Sequence, residues 1–186
     1  MITLQTIDRV ANQGPFFPNW ASLGTFQLPE WFSKAKFGLF IHWGLYSVPA
    51  FNNEWYSRNM YIQGSPEFVH HQETYGRQAD FGYQDFIPMF TADNFSADEW
   101  AVLFKASGAK YVFPVAEHHD GFQMYQSDLS HWNAVEMGPK KDILGHLKTA
   151  IEANNLHFCT SSHRGEHWFF MGHSKEFASD IKEPLV

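Results

Sequence analysis

Lys110-Tyr111-Val112-Phe113-Pro114-Val115-Ala116 is a short apolar run that stops at Glu117-His118-His119-Asp120-Gly121. Such a run, rich in aromatic and β-branched residues and ended abruptly by polar ones, reads as a strand buried on both faces. Pro114 counts against it, because proline cannot donate to a sheet ladder. Upstream, Ser96 and Glu99 make an S-x-x-E capping box, Trp100, Leu103, Phe104 and Ser107 share one helical face, and Gly108 supplies a stop. The spacing predicts a helix over 97–107. Downstream, Ile143, Leu144, Leu147 and Ile151 predict a second helix over 139–153, ended by Asn154-Asn155. Leu156 to Ser161 then reads as another short strand, and Phe37-Gly38-Leu39-Phe40-Ile41, stopping at His42, as an earlier one. The order strand, helix, strand, helix, strand implies parallel strands joined by helical crossovers. In such folds, whether barrel or open sheet, sites lie at the C-terminal strand ends. His42, His118, His119 and His163 therefore fall on one rim.

Outside this unit, residues 1–28 show no clear period and carry Gly14-Pro15, Pro18 and Gly24, so they read as an irregular lead-in before a unit spanning 29–186. Leu28-Pro29-Glu30-Trp31 looks like a helix entry. Helical patches are expected near 66–75 and 83–90, with His70-His71 on a solvated polar face.

Composition narrows the function. The 186 residues include 7 Trp, 7 Tyr, 19 Phe and 11 His, an excess that suits a site lined with flat apolar faces and imidazoles. Lys and Arg total 13 against a net charge of −7, poor equipment for a phosphate backbone, so no nucleic-acid partner is expected. No apolar run reaches membrane-spanning length, and residues 1–10 lack the pattern of a secretory signal, so a cytoplasmic location is expected. The single Cys159 sits in an apolar run and reads as packing rather than as a nucleophile.

Each candidate residue supports two readings. His42, before Trp43-Gly44, is either structural or a ligand-facing imidazole. Glu54-Trp55 is either a packed Trp beside a solvated Glu, or a carboxylate and ring that together hold a polyol. His118-His119 is either a bonded rim pair or a donor–acceptor pair for sugar hydroxyls. His163-Arg164-Gly165-Glu166-His167 matches the H-x-x-E-H of some zinc peptidases, but that chemistry needs one helical face and Gly165 interrupts it. No metal and no cofactor are expected. No G-x-S-x-G, P-loop or G-x-G-x-x-G occurs.

Taken in order, Trp31-Phe32, Lys36-Phe37-Gly38-Leu39-Phe40-Ile41-His42-Trp43-Gly44, Ser47-Val48-Pro49-Ala50-Phe51 and Glu54-Trp55-Tyr56-Ser57-Arg58-Asn59-Met60-Tyr61 resemble the opening of the α-L-fucosidases of glycoside hydrolase family 29. Gly108-Ala109-Lys110-Tyr111, His118 to Phe122, Ser127 to Asn133, Gly138 to Asp142 and Ser161-Ser162-His163-Arg164 with Glu166-His167-Trp168 continue the match. The resemblance implies an α/β fold of the (β/α)8 type, here truncated to about the first three parallel strands and their helices. It implies retaining hydrolysis of terminal α-L-fucose from fucosylated glycans without a metal, and a substrate-binding set of His42, Glu54, Trp55, His118 and His119. It also implies that no catalytic nucleophile lies in the chain. The nucleophilic Asp and the usual acid/base are expected beyond Val186, with Glu54 an acid/base candidate. The chain alone is then expected to be weak or inactive, with a non-catalytic fucose-binding or purely structural remnant as the alternative. An open barrel edge predicts a homo-oligomer.

Overall fold

The structure is a computed structural model and describes residues 3–166 and 172–181. Its centre is a parallel sheet of β1 (Gly38–Ile41), β2 (Tyr111–Glu117), β3 (His157–Phe158) and β4 (Ser161–Ser162). β1 lies along one side of β2, with Gly38 opposite Tyr111 and Ile41 opposite Pro114. On the other side β3 pairs at Tyr111 and Val112, and β4 resumes the pairing at Val115 and Glu117. The α/β class with parallel strands and crossover helices stands as expected from the alternation of apolar runs.

The strand expected over 156–161 is thus two strands, and the gap falls opposite Pro114. Proline has no N–H to give to a neighbouring strand. Cys159 N–H still reaches Val112 O at 2.9 Å, and the Thr160 hydroxyl then donates to Pro114 O at 2.9 Å. A side chain covers the carbonyl where the backbone ladder lapses. Pro114 does not end β2, which pairs with β1 as far as Pro114 and runs on to Glu117 because β4 takes up its other edge at Val115 and Glu117.

The helices are, in order, α1 (Leu4–Ala11), α2 (Trp20–Leu23), α3 (Glu30–Ala35), α4 (Tyr56–Asn59), α5 (Pro66–Thr74), α6 (Ala97–Ala106) and α7 (Ile143–Ala153). Ser96 caps α6 by accepting from Glu99 N–H, and Asp142 caps α7 by accepting from Gly145 N–H. These two crossover helices bury Ala101, Phe104, Leu147, Ala150 and Ile151 against Val112 and Leu156. The other face of the sheet carries Phe40, 53% exposed, edge-on to Phe113 at 5.2 Å.

Two expectations need correction. Residues 1–28 are not wholly irregular. Thr3 and Asn19 cap α1 and α2, although neither helix buries a residue. His70-His71 is not a solvated pair. His71 on α5 is fully buried, donates from Nε2 to Phe81 O at 2.8 Å and bonds the Tyr56 hydroxyl through Nδ1 at 3.1 Å. It packs among Tyr75, Phe81 and Phe86, and its neighbour His70 stacks on Phe51. Two satisfied ring nitrogens make a buried imidazole tolerable. The segment expected to be helical near 83–90 is a 3₁₀ helix, Tyr83–Met89.

Candidate functional site

Each strand delivers a polar residue as it ends. β1 stops at Ile41 and His42 follows directly; β2 stops at Glu117 and His118-His119 follow; β4 stops at Ser162 and His163 follows. The chain after β2 closes a tight turn, with Gly121 N–H on His118 O at 3.0 Å and Gly121 at φ +74°. That reversal splays the adjacent rings of His118 and His119 to 87°, with centroids 4.6 Å apart.

The four imidazoles expected on one rim come together there. His163 lies 4.4 Å from His118, nearly parallel, and 4.8 Å from His119, nearly perpendicular. His163 Nδ1 and His119 Nε2 share a hydrogen bond of 3.3 Å. His42 faces both His118 (5.7 Å) and His163 (6.0 Å). Trp55 closes one side, with its ring 4.7 Å from that of His119. Glu54, half-buried, lines a cleft with His42, Tyr46 and Asn53. All five residues expected to bind substrate therefore lie around one point.

Electrostatics set the state of these groups. Burial pushes the His118 imidazole down to about 3, helped by the neighbouring His163, His119 and His42, so at neutral pH the ring is uncharged. Burial also lowers His42, opposed by the Glu54 carboxylate and reinforced by His163. A neutral imidazole donates at one nitrogen and accepts at the other. Burial, with Asp120 and Glu54 nearby, pushes the Tyr46 phenol up, so it stays protonated.

His42, His118 and His163 each offer a ring nitrogen, all within 4.8 Å of one another. Three nitrogens around one oxygen, at hydrogen-bond length and tetrahedral angles, stand about 4.7 Å apart. Around a zinc ion they stand about 3.3 Å apart. Both arrangements fit within that limit, so the three imidazoles can converge on a single sugar hydroxyl. Of the H-x-x-E-H motif, Arg164–Glu166 forms a single 3₁₀ turn, and His167 lies outside the described residues, as do Trp168 and Val186.

Two carboxylates beside the site are already engaged. Asp120 accepts from the Tyr83 hydroxyl at 2.7 Å and from Phe122 N–H at 3.1 Å. Glu117, 1% exposed, accepts a two-pronged pair from Arg164 Nε (2.7 Å) and Nη2 (2.9 Å), and a third bond from the Ser162 hydroxyl (2.8 Å). Burial pushes its carboxyl up, but these bonds outweigh burial and hold it below the ordinary range. Sequence reasoning did not pick out the Glu117–Arg164 pair or Tyr46, whose ring lies 5.2 Å from His118. The signal for the pair was available: opposite charges end neighbouring strands. Nothing comparable marks Tyr46 in the sequence. Cys159, half-buried and with its thiol pushed up by burial, fits packing.

Parallel strands with crossover helices and a polar, aromatic rim at the strand ends define an α/β protein of the strand-end-site class. Comparison with known proteins makes the assignment particular. The family model described as Alpha-L-fucosidase matches residues 3–183, and the chain belongs to that family. It is similar to the plasma alpha-L-fucosidase of Homo sapiens, 46% identical over 137 residues, which are 73% of this chain and 29% of the relative. It is also similar to two crystal structures of Thermotoga maritima alpha-fucosidase. In the complex with fucose, the TM-score is 0.75 at 41% identity, covering 79% of this chain and 37% of that one. In the complex with a mechanism-based inhibitor, the TM-score is 0.78 at 38% identity, covering 91% and 41%. The chain thus spans under a third of the human relative. No helix among the described residues is long and apolar enough to cross a membrane.

Proposed function

We propose that this chain forms the fucose-binding wall of an α-L-fucosidase. In this proposal β1, β2 and the split third strand are the first three strand positions of a (β/α)8-type barrel. The carrying observation is the meeting of His42, His118 and His163, their ring nitrogens within 4.8 Å of one another, beside Trp55. His42, His118, His119 and Glu54 exchange hydrogen bonds with the ring hydroxyls of terminal α-L-fucose, and Trp55 covers its apolar face. His163 joins this set. Burial keeps His118 neutral, so it retains an acceptor nitrogen for a hydroxyl proton.

Cleavage with retention needs two carboxyl groups roughly 5–5.5 Å apart. Among the described carboxylates at this rim, Glu117 holds Arg164 and Asp120 holds Tyr83, which leaves Glu54 as the acid/base candidate and no partner nucleophile. The proposed function of these 186 residues alone is therefore binding. Hydrolysis takes its nucleophile from outside them. The exposed Phe37 and Phe40 at the β1 side of the sheet are proposed to be covered in solution by a second copy.

Titration calorimetry with L-fucose, paired with an aryl-fucoside hydrolysis assay, tests this. The expected result is saturable binding that His119→Ala abolishes, with hydrolysis no faster than in that variant. Absence of binding at roughly tens of millimolar fucose, a free energy weaker than about 3 kcal/mol, overturns the proposal.

A further inference from the structure

Resting on the fucose-binding proposal above, we propose that Glu117 is a positioning residue that sets the imidazole of His163 in the sugar-facing cluster. Glu117 grips three consecutive residues. Its carboxylate takes the Ser162 hydroxyl and the fork of Arg164, and its own carbonyl takes the N–H of His163 at 3.1 Å. Gln123 and Tyr125 face the same carboxyl.

The need for such a grip follows from the sheet. β4 is two residues long and follows the lapse opposite Pro114, so its ladder alone is a weak anchor. A short strand with few backbone bonds leaves the side chain at its end loosely aimed, and a site needs its groups held to within about 0.5 Å. The clamp brackets His163 on both sides in sequence. The ring between those fixed points meets His119 Nε2 at 3.3 Å and lies over His118 at 4.4 Å. Glu117 is buried, directs no described hydrogen bond toward the imidazoles, and so acts through the backbone of 162–164.

The test is a double-mutant cycle on Glu117 and His163, read on fucose affinity and on the His163 ring resonances by NMR. Glu117→Gln keeps the shape and removes the charge that holds Arg164. It is expected to shift and broaden the His163 ring signals and to weaken fucose binding by about tenfold, the loss of one charged hydrogen bond. In a His163→Ala background the same change is expected to have no further effect on affinity. Unmoved His163 signals in Glu117→Gln overturn the proposal. So does an undiminished affinity loss in the His163→Ala background, because a merely structural role acts without His163. Should Glu117→Gln fail to fold, Ser162→Ala removes one arm of the clamp without touching the buried charge, and unmoved His163 signals in that variant overturn the proposal. If the wild type binds no fucose, the binding proposal fails, and the ring signals alone still decide the clamp.

Discussion

Acidification should weaken the fold through His118, and the size of the effect follows from its burial. The imidazole ordinarily titrates near 6.5 and is held at about 3 in the folded chain, chiefly by desolvation. Its folded value lies below its unfolded one, so the unfolded chain binds more protons between them and stability falls as pH falls. The contribution is intact above the unfolded value and is lost progressively down to the folded one. Integrating the proton uptake gives a loss of about 2 kcal/mol between pH 7 and pH 5, and about 4 kcal/mol by pH 3. The first of these is about 4–8 °C in melting temperature for a chain of this size. His42 and His71 are also lowered by burial and add to the total in the same direction, so the wild type alone does not isolate His118. The measurement is urea denaturation at both pH values for the wild type and for His118→Gln, which carries no titrating group at that position. The variant is expected to lose about 2 kcal/mol less than the wild type on going from pH 7 to pH 5. Equal losses in the two proteins would show that the cluster does not hold His118 neutral, and would refute the reasoning.

Other perturbations have defined outcomes. His71→Leu removes two buried hydrogen bonds and leaves the Tyr56 hydroxyl unpaired, so it should cost about 2–3 kcal/mol by chemical denaturation without altering fucose affinity. Gly138 sits at φ +58° with the carbonyl oxygens of Ile87 and Phe90 each 3.0 Å from where a Cβ would stand; Gly138→Ala should cost about 1–3 kcal/mol. Size-exclusion chromatography should show the chain larger than a monomer, and Phe40→Lys should shift it toward one; a monomeric wild type refutes the proposed self-association. EDTA should leave the fucose titration unchanged, since the proposed ligand of the imidazoles is a sugar hydroxyl, and a clear loss of affinity would point to a bound metal.

What could be read before the structure was local. The run to Ala116 and the stop at Glu117 marked β2 because a strand buried on both faces has no polar alternation to disguise its end. Ser96 lies at the start of α6, where orphan N–H groups need acceptors, whereas the second crossover helix, expected from residue 139, begins at Ile143 after its Asp142 cap. The shared rim of His42, His118, His119 and His163 followed from the common direction of the strands, each of which ends where one of these segments begins. What escaped was set by tertiary contact. His71 looks polar on its own helix, and only the arrival of Phe81 O and Tyr56 makes its burial affordable. The split of the third strand depends on which residue of β2 lies opposite it, a matter of register that neither segment encodes by itself. Pairing of Glu117 with Arg164 likewise spans 47 positions and depends on the same register. The helices α1 and α2 form on local caps although they bury nothing, so no apolar pattern facing a core announced them.

The lapse opposite Pro114 gives the molecule a seam. β1 holds one edge of β2 from Tyr111 to Pro114, while the segment Ser161 to Arg164 is held by two pairing positions on β2, the backbone bond of His163 to Glu117 and the side-chain bonds of Ser162 and Arg164. Opening of the segment bearing His163 would break its own few backbone and side-chain bonds and leave the pairing of β1 with β2 intact. One side of the imidazole cluster is in this sense a panel latched at Glu117, set on a frame whose own pairing does not depend on it.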